Sequence, residues 1–241
     1  MSDPTWKTAI TDVKPNEVRV RGYRIDELMG RADFGQMFYL LLKGELPDEN
    51  VGRLMTAMLV SSVDHGPKAP SALAARTAAS TGAPLNACIA SGILHINRSH
   101  GGAVEDCARA LDQVIARAEA DNIGLDDAAA QVLADYKSKK VRVAGFGHRI
   151  HTADPRTPRL FELAAQAGVA GPHIQAAQAV ERGLERQLGK KLPINVDGAM
   201  GAVLAGLGFD YEVMNGFFIL ARTAGLIAQA REEMTRERKM R

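Results

Sequence analysis

Two cysteines in 241 residues, Cys88 and Cys107, are too few for a disulfide framework or a multi-thiol metal cluster, and each sits in an apolar helical pattern that predicts a buried free thiol. Aromatic residues make up 5% of the chain against 46% hydrophobic residues. The apolar content is therefore Ala, Leu, Val, Ile and Met, a mix that suits close-packed helices better than a β-sandwich. No excess of one charge exists either. Thirty Lys and Arg are interspersed with 28 Asp and Glu, a net charge of +2, which leaves no nucleic-acid footprint but is compatible with a basic pocket for a small anion. There is no uninterrupted apolar run of about 20 residues for a membrane span. The start, Met1-Ser-Asp-Pro-Thr-Trp6, lacks a basic region leading into an apolar run. These features predict a soluble, cytoplasmic protein with no nucleic-acid or membrane partner, long enough for one large domain or two modest ones.

What is present reads as helix almost throughout. Asp48 predicts an N-cap for a helix through Leu54, Met58 and Leu59 that stops near Gly66-Pro67. Ser71 to Ser80 forms a short Ala-rich helix ended by Gly82, and Pro84 opens another with Ala87, Ala90 and Ser91 on one face. From Gly102, the residues Val104, Cys107, Leu111, Val114 and Ile115 fall at helical spacing, and Leu125 to Lys139 repeats the pattern. Further helices are expected from Pro158 to Gly168, from Pro172 to Gly189, from Asn195 to Gly206 and from Glu212 to about Glu233. Only Val18-Arg-Val20 and Val141-Arg-Val143 hint at extended chain, and no alternation is long enough for a sheet. The predicted class is all-α.

Polar clusters interrupt these helices where folding does not need them. They are Asp64-His65-Gly66-Pro67, Ser99-His100-Gly101-Gly102-Ala103, the stretch Val143-Ala-Gly-Phe-Gly-His-Arg-Ile-His-Thr-Ala-Asp-Pro-Arg156, and Asn195-Val-Asp-Gly198. Glycines 145 and 147 suit a turn that approaches a flat ligand, His148 offers a proton carrier near neutral pH, and Arg156 a planar fork for a carboxylate. Arg222 lies inside an apolar helix, where a guanidinium is expensive unless paired with an anion. Each cluster also has a plain structural reading. His65 and His100 could end or link helices, Asp197 could be an N-cap, and Arg222 could close a salt bridge. His95, His151 and His173 keep the structural reading. His95 and His100 lie five apart without a carboxylate partner, so no metal site is expected.

Taken together, His-Gly-Gly-Ala at 100–103, Gly-Phe-Gly-His-Arg at 145–149 with Asp-Pro-Arg at 154–156, and Asn-Val-Asp at 195–197 resemble the citrate synthase superfamily. Arg21-Gly-Tyr-Arg-Ile-Asp-Glu-Leu28 and Tyr39-Leu-Leu-Leu-Lys-Gly-Glu-Leu-Pro47 resemble its N-terminal helices, and Ala221-Arg-Thr-Ala-Gly225 its late arginine motif. The resemblance implies carbon–carbon chemistry between acetyl-CoA and oxaloacetate. It implies Asp197 as the base for a methyl proton, His100 as the group on the enolate oxygen, and His148 as the group on the keto or hydroxyl oxygen. It implies His65, Arg156 and Arg222 as carboxylate ligands, with Arg241 serving the partner subunit's site. Ala144, Gly145, Phe146, Gly147 and Arg149 would receive coenzyme A. Thr152 stands where a basic contact to the CoA phosphate is common, and Arg142, Arg149 or Lys140 are the basic residues at hand. The thioester is a co-substrate, and no permanently bound cofactor is implied.

The resemblance further implies a large helical domain (1–103 with 194–241), a smaller inserted helical domain (104–193), closure of one on the other, and at least a homodimer with helices 71–97 as interface candidates. Asp64-His-Gly-Pro67 and Asn195-Val-Asp-Gly198 resemble the local motifs of citryl-CoA lyase and the C-terminal part of ATP-citrate lyase. The leading expectation is therefore reversible cleavage of citryl-CoA. The alternatives are citrate synthase or a related 2-oxoacid acyltransferase, and a non-catalytic CoA- or citrate-binding subunit.

Overall fold

The computed structural model describes residues 6–148 and 151–240. Among them eleven helices and three short strands divide the chain into two compact units, residues 1–57 and 58–241.

The first unit corrects the expectation that no sheet forms. Strands β1 (Thr11–Lys14), β2 (Glu17–Val20) and β3 (Tyr23–Arg24) pair antiparallel in the order β1-β2-β3, with Val13 opposite Val18 and Val20 opposite Tyr23. Strands of two to four residues are too short to show alternation. Their signal lay in the turns, where Asn16, Arg21 and Gly22 all take positive φ, as tight hairpins demand. Arg21, which the family resemblance put in a helical segment, is a turn residue whose guanidinium donates to Leu41 O at 2.7 Å. Helices α1 (Ile25–Leu28) and α2 (Phe34–Lys43) follow. A capping box of Asp33 and Gln36 starts α2, and left-handed Gly44 ends it. Val20, Leu28 and Leu40 form the small core. Helix α3 (Glu49–Ser61) begins behind Asp48, whose side chain accepts from Val51 N at 2.9 Å as predicted.

The second unit is helical: α4 (Pro70–Ser80), α5 (Leu85–Leu94), α6 (Ala103–Asp121), α7 (Leu125–Ser138), α8 (Arg156–Gln166), α9 (Pro172–Leu188), α10 (Val196–Gly206) and α11 (Tyr211–Arg236). The predicted helices are all present with ends shifted by a few residues. The largest of these shifts at a start is in α8, which begins at Arg156 because Asp154 Oδ1 accepts from Arg156 N and leaves Pro158 in the first turn, where no donor is missed. Val141–Val143 forms no strand. Helix α10 is buried along most of its length between α6 and α9, and α11 packs on α4, α5 and α6. Length and composition alone would let α11 cross a membrane, a possibility the sequence reading did not single out. Its buried face nevertheless includes Arg222, Gln229 and Glu233 and packs on other helices. Cys88 and Cys107 are buried free thiols, as expected.

Candidate active site

Asp197 lies in the first turn of α10, but it does not cap it. Asn195 does, accepting from Gly198 N at 3.1 Å. Asp197 is thereby released from the usual structural task of an aspartate at a helix start. Its buried Oδ1 accepts no hydrogen bond among the described residues. Burial pushes its pKa up to about 6, against the pull of Arg156 and Arg222.

Those two arginines are anchored on the last residue of α3 and the one that follows it. Arg222 is 2% exposed; its Nε donates to Ser62 O at 3.0 Å, its guanidinium lies 4.8 Å over the Phe218 ring, and its buried Nη1 has no partner among the described residues. A buried donor without an acceptor suits a site that binds an anion. Arg156 forms a fork on Asp154 (Nε to Oδ1 at 2.9 Å, Nη2 to Oδ2 at 2.7 Å), and its Nη1 donates to Ser61 O at 3.1 Å. The predicted carboxylate ligand is thus pre-set by a buried carboxylate that sequence reasoning did not single out.

Three imidazoles meet beside these guanidiniums. The His65 ring centroid lies 5.1 Å from that of His148 and 5.8 Å from that of His151, while His148 and His151 stack at 4.4 Å. Burial, then the surrounding cationic groups, lowers the pKa of His65; burial, then His151 and His65, lowers that of His148. Both are neutral near pH 7. The backbone N–H of His151 donates to His148 Nδ1 at 3.0 Å, so the neutral His148 ring carries its proton on Nε2 and acts there as a donor. The nitrogens of the trio fall within 4.8 Å of one another. His148 Nδ1 is already taken by His151 N, however, so Nε2 carries the proton and suits a donor to an anion better than a metal ligand. His151, left structural in the sequence reading, belongs to this cluster; its spacing of three from His148 was the available signal.

His100 sits in a tight turn closed by Asn97 N to His100 O (2.9 Å) and His100 N to Asn97 O (2.7 Å). Gly101 follows at φ +76°, where a Cβ would stand 2.3 Å from the Phe218 ring. His100 Nε2 is 2.8 Å from the hydroxyl of Ser71, a fully buried residue of α4.

A cavity of about 1120 Å³ joins His65, His100 and His148 to Phe146, Gly147, Tyr136, Leu184 and Leu192, and to Lys68, Lys137, Lys140, Arg142 and Lys190. Among the described residues no carboxylate lines it, Asp197 included, and neither Arg156 nor Arg222 does. Of the predicted CoA loop, Phe146 and Gly147 reach this wall. Gly145 is used in packing instead: a Cβ there would meet Cys107 Sγ at 2.6 Å and Gly198 Cα at 2.7 Å. Its carbonyl accepts from Asn195 N, and Gly147 N donates to Pro193 O at 2.7 Å. Ala144 does not line the cavity. Arg149 and Arg241 lie outside the described residues.

The family model for the citrate synthase C-terminal domain matches residues 3–52 and 47–241. This chain belongs to the citrate synthase family. Among family relatives, a citryl-CoA lyase from Hydrogenobacter thermophilus has a solved structure that superposes with a TM-score of 0.86 at 42% identity, covering 98% of this chain and 89% of that one. An ATP citrate lyase of Methanosaeta concilii in complex with (3S)-citryl-CoA shares the fold with a TM-score of 0.83 at 24% identity, covering 100% of this chain and 41% of that one. A probable ATP-citrate synthase of Dictyostelium discoideum is 29% identical over 247 residues, 94% of this chain and 38% of the relative. The chain spans less than half the length of such curated relatives. The all-α class read from the helical patterning, the citrate-synthase-like fold implied by the motifs, and the kinship with citryl-CoA lyase read from residues 64–67 and 195–198 all hold.

Proposed function

We propose that this chain reversibly cleaves citryl-CoA to acetyl-CoA and oxaloacetate. The observation that carries the reading is a carboxylate poised near pH 6 that feels two anchored guanidiniums, with the neutral imidazoles of His65 and His148 beside those guanidiniums and lining a basic cavity. A thioester methyl group is weakly acidic and yields a proton only when donors stabilise the enolate. In the condensation direction Asp197 takes that proton and His100 hydrogen-bonds the enolate oxygen. The methylene carbon attacks the keto carbon of oxaloacetate, whose oxygen is polarised by Nε2–H of His148 and ends as the hydroxyl. Cleavage is the reverse, with Asp197 returning the proton to carbon. His65, Arg156 and Arg222 hold carboxylates, and the basic rim holds the phosphates of the CoA thioester. The 42% identity to a citryl-CoA lyase supports the lyase assignment.

The same proposal includes a large domain of 1–103 with 194–241, an inserted small domain of 104–193, a cytoplasmic homodimer, and Arg241 acting in the partner subunit's site. Feeding citryl-CoA tests the reaction. Acetyl-CoA and oxaloacetate are the expected products, whereas free citrate and CoA would assign the chain to citrate synthase chemistry. Asp197→Asn is expected to abolish both cleavage and methyl-proton exchange while CoA binding, measured by calorimetry, survives. Full activity in that variant would sink the mechanism.

A further inference from the structure

Residues 61–64 follow one another along the chain, and each meets a distant partner. Ser61 O accepts from Arg156 Nη1 at 3.1 Å, and Ser62 O from Arg222 Nε at 3.0 Å. Val63 O lies 2.0 Å from where a Cβ on Gly225 would stand, so only glycine admits it. The Asp64 carboxylate accepts from Gln229 Nε2 at 3.3 and 3.2 Å. Arg222, Gly225 and Gln229 fall at i, i+3 and i+7 on α11, a single helix face. That face reads residues 62, 63 and 64 in order.

Gln229 is 9% exposed and is bound on both sides. Its Oε1 accepts from Arg76 Nη1 at 2.8 Å, and Arg76 Nη2 pairs with the buried Glu233 at 2.8 Å. Asp64 Oδ2 in turn accepts from Gly66 N at 3.0 Å, closing the turn around His65. A side chain that accepts from a guanidinium and donates to a carboxylate needs an acceptor and a donor at once, and the Gln229 amide supplies both.

We propose that Gln229 is a positioning residue. Through Asp64 it sets His65 in the carboxylate-binding cluster and so tunes affinity for the four-carbon acid without touching it. This rests on the reading of His65 as a ligand of that substrate. Gln229→Glu keeps a partner for Arg76 but faces Asp64 with a second carboxylate. Asp64→Asn added to it restores a donor and acceptor pair with the polarity reversed.

The test measures KM for oxaloacetate and for acetyl-CoA in the condensation direction on the full chain. Gln229→Glu is expected to raise the oxaloacetate KM by about 10-fold or more and change the acetyl-CoA KM less than about 2-fold, with the double variant returning to within about 3-fold of the parent. Gln229→Met, which keeps the shape without either hydrogen bond, is expected to follow Gln229→Glu. His65→Asn is the control. If it impairs oxaloacetate use while the Gln229 variants do not, or if both KM values move together or Asp64→Asn fails to rescue, the relay is rejected. An unaltered oxaloacetate KM in His65→Asn itself would overturn the role of His65, and the proposal with it.

Discussion

Desolvation of the Asp197 carboxylate in the first turn of α10 disfavours its ionised form. Its folded pKa of about 6 lies above the value of about 3.9 expected in the unfolded chain. The folded state therefore holds that proton more tightly, and the associated stability is complete below pH 4 and lost as pH rises through 6. Asp197→Asn removes the charge without changing the shape. Urea titration is expected to find it more stable than the parent at pH 8, by at most about 3 kcal/mol, and equal to it below pH 4. If Asp197 is the base of the proposed reaction, kcat/KM for acetyl-CoA in the condensation direction should rise to a plateau along a limb centred near pH 6, since this profile reports the free enzyme. A limb near pH 4 would mean an ordinary solvated carboxylate. The identity of Asp197 was legible from its motif, but its freedom from capping was not. That followed only from the hydrogen bond between Asn195 and Gly198.

Elements repeat this pattern of legible parts and hidden pairings. Helix ends could be read because their signals are local: Asp48, Pro84, Gly189 and Asn195 act within a turn of where they stand in sequence. The sheet was missed because its evidence lay in left-handed turn residues rather than in its strands. The partners of the site residues were hidden for a different reason. Ser62 and Arg222 are 160 positions apart, and Asp64 and Gln229 are 165 apart, so nothing in either neighbourhood specifies the other. Helix α11 permits a direct test, because two of its glycines stand in opposite surroundings. A Cβ at Gly225 would stand 2.0 Å from the Val63 carbonyl, whereas nothing lies within 4 Å of one at Gly216. Gly225→Ala is expected to destabilise by about 1–3 kcal/mol through overpacking and to weaken oxaloacetate binding by displacing the His65 segment. Gly216→Ala is expected to stabilise by about 0.5–1 kcal/mol, the ordinary helix preference for alanine over glycine. Thermal and urea melts of the pair distinguish crowding at one site from a general effect of glycine in the helix.

On the scale of the molecule, several exposed apolar residues lie on three helices, α11 packing on both α4 and α5. Leu73 on α4, Leu85 and Leu94 on α5, and Ile227 and Met234 on α11 all remain open to solvent, Leu94 at 75%. Scattered exposed leucines are ordinary on a monomer, but several on adjoining helices mark a surface that another copy can cover. The family resemblance offers the helices over 71–97 as candidates for this role. Helix α11 connects this surface to the candidate site, since one face carries Ile227 and Met234 outward while another carries Arg222 and Gln229 inward. Light scattering is expected to give about twice the 25.9 kDa mass of the chain. Leu94→Arg places a charge where apolar contact is expected, and should shift that mass toward one chain and weaken oxaloacetate binding through α11. A wild-type monomer would remove the dimer. A dimer indifferent to Leu94→Arg would move its interface away from α5 and leave these leucines simply exposed.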